Sequence, residues 1–181
     1  MNQKFLFKLS LCAVVSLNTA YAASMSKSEF KASEERIETD YKADRKACQT
    51  RSGNSNDICE KQAHAKQKIA RAQLQADYSG TASDQNKLRL VKADSSYDVA
   101  KEICDDKSGN DKDVCVKEAK AVQTKARAEA KMNEQVSEAK TDAIKNQRDA
   151  DYQVAAEKCD VLVAEAKASC IASAKNQFGQ N

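Results

Sequence analysis

One pattern, Tyr-x6-Cys-x10-Cys, constrains this chain more than any other feature. It reads Tyr41…Cys48…Cys59, then Tyr97…Cys104…Cys115, then Tyr152…Cys159…Cys170. The first-to-second offset is 56 residues and the second-to-third is 55. Six of the seven cysteines belong to the pattern, and the seventh, Cys12, lies in a segment that reads as removable. The chain is therefore a triplicated unit in which each copy carries one covalent staple.

The N-terminus supplies the compartment that such staples need. Lys4 and Lys8 form a positive n-region, and an apolar run extends from Leu9 to Leu17. Ala20-Tyr21-Ala22 is a small-x-small cleavage site, so residues 1–22 read as a secretory signal and the mature chain begins near Ala23. The run is shorter than the roughly 20 residues that span a bilayer, so no transmembrane anchor is expected after cleavage. Leu9-Ser10-Leu11-Cys12 resembles a lipobox only loosely, because Leu11 stands where a small residue is wanted.

In an oxidising compartment an even set of six cysteines reads as a disulfide framework. A metal site is disfavoured. Zinc sites use close cysteine pairs, often with histidines, whereas here the spacing is x10 and the single histidine, His64, reads as a surface residue. No cofactor is implied. Loss of Lys4 and Lys8 leaves 28 basic against 27 acidic residues, a balance that gives little steering toward nucleic acid.

The fold class follows from composition and turn signals. The chain has no proline, no tryptophan and four glycines, and good helix formers dominate it, which predicts an all-α fold. Large apolar residues are sparse, so the core is thin and the staples matter. Closing a loop of about a dozen residues contributes about 3 kcal/mol in the chain-entropy model.

The first two cysteine pairs each enclose a Ser-Gly-Asn centre. Gly53 and Gly109 suit the left-handed residue that ends a helix. Asn54 and Asn110 are then placed to cap the next helix, with Asp57 and Asp113 in its first turn. Each element reads as an αα-hairpin with its cysteines at matching heights. An unbroken helix would instead leave cysteines 11 residues apart separated by about 16 Å along its axis. In unit three Val163-Ala164-Glu165 replaces Ser-Gly-Asn. Local preference there favours a straight helix, with thiols free or joined to another chain. The repeat favours a bend and a Cys159–Cys170 bond, and we take that reading.

Other boundaries are weaker. Ser26-Lys-Ser-Glu29 is a capping box. Tyr78–Ser83 breaks the second helix, and Ser83 is placed to cap the third. Met132–Ser137 aligns with that break but carries weak breakers, so one long rod and two kinked helices both stay open. The repeats are expected at 23–82, 83–137 and, in degenerate form, 138–181, arranged coiled-coil-like as a bundle or an elongated string. Heptad-like stripes lead into the cysteines: Leu90, Ala93, Tyr97, Ala100, Cys104, and Tyr152, Ala155, Cys159, Leu162, Ala166. Tyr41, Tyr97 and Tyr152 are thus core-stripe residues two turns from their disulfides.

Three segments carry a resemblance: Ser108–Lys120 around the glycine turn, Arg148–Cys159, and Asn176-Gln-Phe-Gly179. They resemble an uncharacterised family of exported, Ala/Lys-rich helical proteins of Gram-negative bacteria, often labelled cell envelope biogenesis protein, TolA-like. The resemblance covers most of the mature chain and implies a periplasmic location. Unit three departs from it by lacking the glycine turn. No catalytic constellation is present. The expected function is a non-enzymatic periplasmic scaffold, spacer or envelope-associated binding protein, with an envelope protein or a peptidoglycan-associated partner. A periplasmic chaperone or stress-protective protein is the alternative.

Overall fold

The computed structural model describes residues 25–180, so the signal segment and Cys12 lie outside the described residues. Five helices follow one another: α1 Lys27–Cys48, α2 Asn54–Ser79, α3 Ala82–Cys104, α4 Gly109–Cys159 and α5 Ala164–Phe178. Three disulfides join Cys48 to Cys59, Cys104 to Cys115 and Cys159 to Cys170, with Cα–Cα distances of 5.5, 5.7 and 5.7 Å. The fold is all-α, built on three stapled αα-hairpins. α4 runs unbroken through 132–137, because nothing there removes a donor or forces a positive φ. It passes the 137/138 repeat boundary as a single helix of about 75 Å.

The first helix starts where its capping box predicts. Ser26 Oγ accepts from the Glu29 N–H at 3.2 Å, and the Ser26 N–H donates to Glu29 Oε2 at 2.8 Å. Between α2 and α3, Gly80 takes the left-handed conformation at φ 63°. Thr81, not Ser83, caps α3 by accepting from the Asp84 N–H at 3.1 Å. Ser83 is the second residue of the helix, already in its first turn, so it is not at the N-cap position from which a side chain accepts the N3 N–H.

The stapled turns correct the expected roles of glycine and asparagine. Each preceding helix ends at its cysteine, and a tight turn closes directly on it. Arg51, Lys107 and Leu162 N–H groups donate to the carbonyls of Cys48, Cys104 and Cys159 at 2.9–3.0 Å. The left-handed residue is needed only on re-entry. Gly53 and Gly109 therefore open the next helix instead of closing the last, at φ 58° and 55°. Gly53, with ψ −151°, sits in a region reserved almost wholly for glycine. Asn54 and Asn110 fall inside the first turns of α2 and α4 and make no capping bond. Asn54 instead reaches across to the stapled turn after α3, where its Nδ2 donates to Asp106 Oδ1 at 2.6 Å.

Among the described residues each helix packs only on its chain neighbours: α1 on α2, α2 on α3, α3 on α4, α4 on α5. The result is an open single layer, the elongated alternative, and not a closed bundle. The densest burial lies along α2 and α3, at Leu74, Ala76, Leu88, Ala93 and Ser95. α3 begins beside residues 133–140 of α4. Residues 138–148 of α4 are all exposed, and α5 folds back on the stretch beyond them.

Candidate functional site

Each staple is the centre of a repeated set of contacts. The first cysteine of each pair is fully buried, at 1 %, 1 % and 0 % exposure for Cys48, Cys104 and Cys159. Four residues after each second cysteine stands an alanine: Ala63, Ala119 and Ala174. Its small side chain lets the partner helix approach closely enough for the bond to form. One residue further on, the tyrosine finds its neighbour. Tyr41 faces His64 with ring centroids 6.2 Å apart, and Lys120 lies 5.1 Å from the Tyr97 ring. All three tyrosines are half-buried, and His64 is exposed. In unit three the stripe stops at Cys159. Leu162 and Ala166, expected to continue it, are exposed because the chain has already turned.

A second clasp recurs ten positions before each first cysteine, and the sequence reading missed it. Glu38 Oε2 accepts from Gln67 Nε2 and Arg71 Nη2, both at 2.9 Å. Asp94 Oδ1 accepts from Gln123 Nε2 and Arg127 Nη1, both at 2.7 Å. The glutamine is eight residues past the second cysteine and the arginine twelve. Unit three keeps the carboxylate, Asp149, but carries Phe178 at the glutamine position, and Gln180 Nε2 donates to Asp149 Oδ1 instead. The legible signal was an acid–Gln–Arg set at fixed offsets, hidden among many other charges. Burial by itself would raise the Asp94 carboxyl. Hydrogen bonds from Arg127 and then Gln123, with the charges of Arg127 and Lys120, hold it below the usual carboxylate range instead.

Beside the turns, Lys112 pairs with Asp105 at 2.8 Å and Lys167 with Asp160 at 3.1 Å, at equivalent positions. The hydrogen bond from Lys112 holds the Asp105 carboxyl below its ordinary value. Such exposed pairs are screened by solvent and contribute little to stability. They set register more than stability.

The single-layer packing leaves one face of α2, α3 and α4 uncovered. A cleft of about 760 Å³ runs between α2 and α3, lined by Ile69, Ala70, Val99, Ala100 and Ile103, with Lys66 and Lys92 at its edge. Its wall includes Ser95, whose buried hydroxyl has no hydrogen-bond partner. A second cleft of about 580 Å³ lies between α3 and α4 and shares Lys92, Ser96 and Ala100 with the first. The opposite end of the molecule carries another apolar feature. The unit-three turn, Val161-Leu162-Val163, is 84 %, 39 % and 80 % exposed. Units one and two carry Thr50-Arg51-Ser52 and Asp106-Lys107-Ser108 at those positions. The next residue, Ala164, adopts φ 46°, the conformation its glycine counterparts adopt without a Cβ penalty.

Among the described residues no group of three or more His, Cys, Asp or Glu is placed to hold a metal ion. Among them, too, no helix is long and apolar enough to cross a membrane. No family model, curated protein or solved structure matches this chain. The three disulfides suit an oxidising compartment. Chemically, the arrangement offers rigid, repeated helix pairs and an uncovered apolar face.

Proposed function

We propose that this protein is a non-enzymatic periplasmic scaffold or spacer that binds at the cell envelope, to an envelope protein or a peptidoglycan-associated partner. The observation that carries the reading is α4. This single helix of 51 residues belongs to a stapled array at one end and to a stapled hairpin at the other. A helix is stiff over this length, so the two stapled ends are held at a defined separation. Residues 138–148 are all exposed, with Lys140 at the edge of the α3 start and Arg148 beside Gly179, so the stretch acts chiefly as distance.

Two experiments test this. Fractionation with intact-mass analysis should find a processed, fully oxidised chain in the periplasm; an unprocessed, reduced chain in the cytoplasm ends the reading. Deleting residues 138–148 removes 11 residues, close to three whole helical turns, so the hairpins keep their relative facing while their separation shrinks by about 16 Å. Envelope cross-linking partners should then be lost or shifted although the chain stays folded. Unchanged partners would rule out a role set by spacing.

A further inference from the structure

We infer that this chain associates head to tail, the apolar unit-three turn of one copy seating in the α2–α3 cleft of the next. Both halves of such a contact are on the same molecule and neither is covered. The turn is the one stapled turn of the three that is apolar, and its three side chains stand at the end of a helix that extends well past α3. Ala164 holds that turn at a φ its side chain disfavours, while glycine occupies the position in both polar turns. A strained position at an exposed apolar turn is where a functional contact is to be sought.

The cleft fits this occupant by shape and by charge. It is apolar and wide open at the surface, so an exposed apolar turn can reach it. Its charged lining residues are two lysines, Lys66 and Lys92. Lys66 pairs with Asp44, and Lys92 has no ion pair among the described residues. Segment 157–167 carries three acids, Glu157, Asp160 and Glu165, against Lys158 and Lys167. Asp160 is taken by Lys167, which leaves Glu157 and Glu165 against Lys158 in the segment and Lys92 as the unpaired cleft lysine for a carboxylate to meet. The two surfaces lie on different parts of the chain, so the contact is heterologous and does not close on itself at two copies. A turn-sized contact falls below the area of a stable dimer, so the association is weak and shows only at high protein concentration. This inference does not depend on the compartment or on the spacer reading.

Sedimentation velocity of the purified, oxidised protein from about 10 μM to about 1 mM tests it. Wild type should sediment faster with concentration and grow past the dimer. Val161→Asp with Val163→Asp should stay monomeric throughout, as should Ile103→Asp. Lys92→Glu, at an exposed position, provides a cleft variant that leaves the packing alone, and should weaken association at least fivefold. Helix content by circular dichroism should match wild type in each. The decisive arm mixes turn and cleft variants one to one: each supplies the half the other lacks, so dimers form and nothing larger. A wild type monomeric at the highest concentration, variants that associate normally, or a mixture without dimers would each overturn the inference. Turn-dependent pelleting with anionic phospholipid vesicles in the absence of self-association would overturn it too, in favour of a lipid contact.

Discussion

Arg127 grips both oxygens of Asp94 at 2.7 Å across 33 residues of sequence, and Arg71 reaches Glu38 over the same separation in the preceding unit. Each clasp lies some three turns from its disulfide, so each of the first two hairpins is fixed at two heights. The register of α1 on α2 and of α3 on α4 is thereby set. One bond alone would leave each pair free to splay.

Acid should loosen the second clasp. The Asp94 carboxyl is held below its ordinary value in the fold, so its contribution is present above the unfolded-state pKa of about 3.9 and fades as pH falls through the folded value. Urea unfolding followed by circular dichroism should show stability falling below about pH 4. Asp94→Asn should be less stable at neutral pH and show a shallower fall in the same window.

Ala164→Gly should stabilise unit three by about 1 kcal/mol, because glycine adopts the positive φ without the Cβ penalty. Part of the gain is offset by the added freedom of the unfolded chain. Gly109→Ala should destabilise unit two by a similar amount, since the same backbone conformation would then carry a side chain. Amide hydrogen exchange in α5 and at the start of α4 reads the two effects separately.

Removing the third staple should release α5 alone. This helix has 15 residues and one buried side chain, Ala174, and isolated helices of that length are marginal in water. Replacing Cys159 and Cys170 by serine removes about 3 kcal/mol of loop-closure stabilisation. Exchange protection should vanish from 164–178 and persist in α2 and α3, where Leu74 and Leu88 are buried.

The bare stretch of α4 should be the weakest part of that helix. Residues 138–148 are all exposed and make no ion pair among the described residues, so local hydrogen bonds carry most of what holds them. Their amides should exchange at least tenfold faster than those of 119–130 or 150–158, measured in one experiment on the intact protein.

Much of this was legible in the residues, and the failures have physical causes. The cysteine spacing, the Gly53 and Gly109 turns and the Ser26 capping box are local signals, read directly. The function of each glycine was misplaced by half a turn. A left-handed residue can close one helix or open the next, and composition does not distinguish them. Residue type favours Ser83 over Thr81 as the cap, and only the exit of Gly80 selects Thr81. The Glu38–Gln67–Arg71 clasp was invisible because ordinary surface helices carry the same residue types. The cleft could not be seen at all: it exists because α1 to α4 lie in one layer, a choice made by tertiary packing.

The central claim is that three clasped helix pairs, and not a closed core, shape this molecule. Peptide mapping by mass spectrometry of the unreduced native protein tests it most directly. The account requires three linkages, Cys48–Cys59, Cys104–Cys115 and Cys159–Cys170, in the same molecule. Free thiols at these positions in the native protein, or sulfurs bridged between different units, would contradict it.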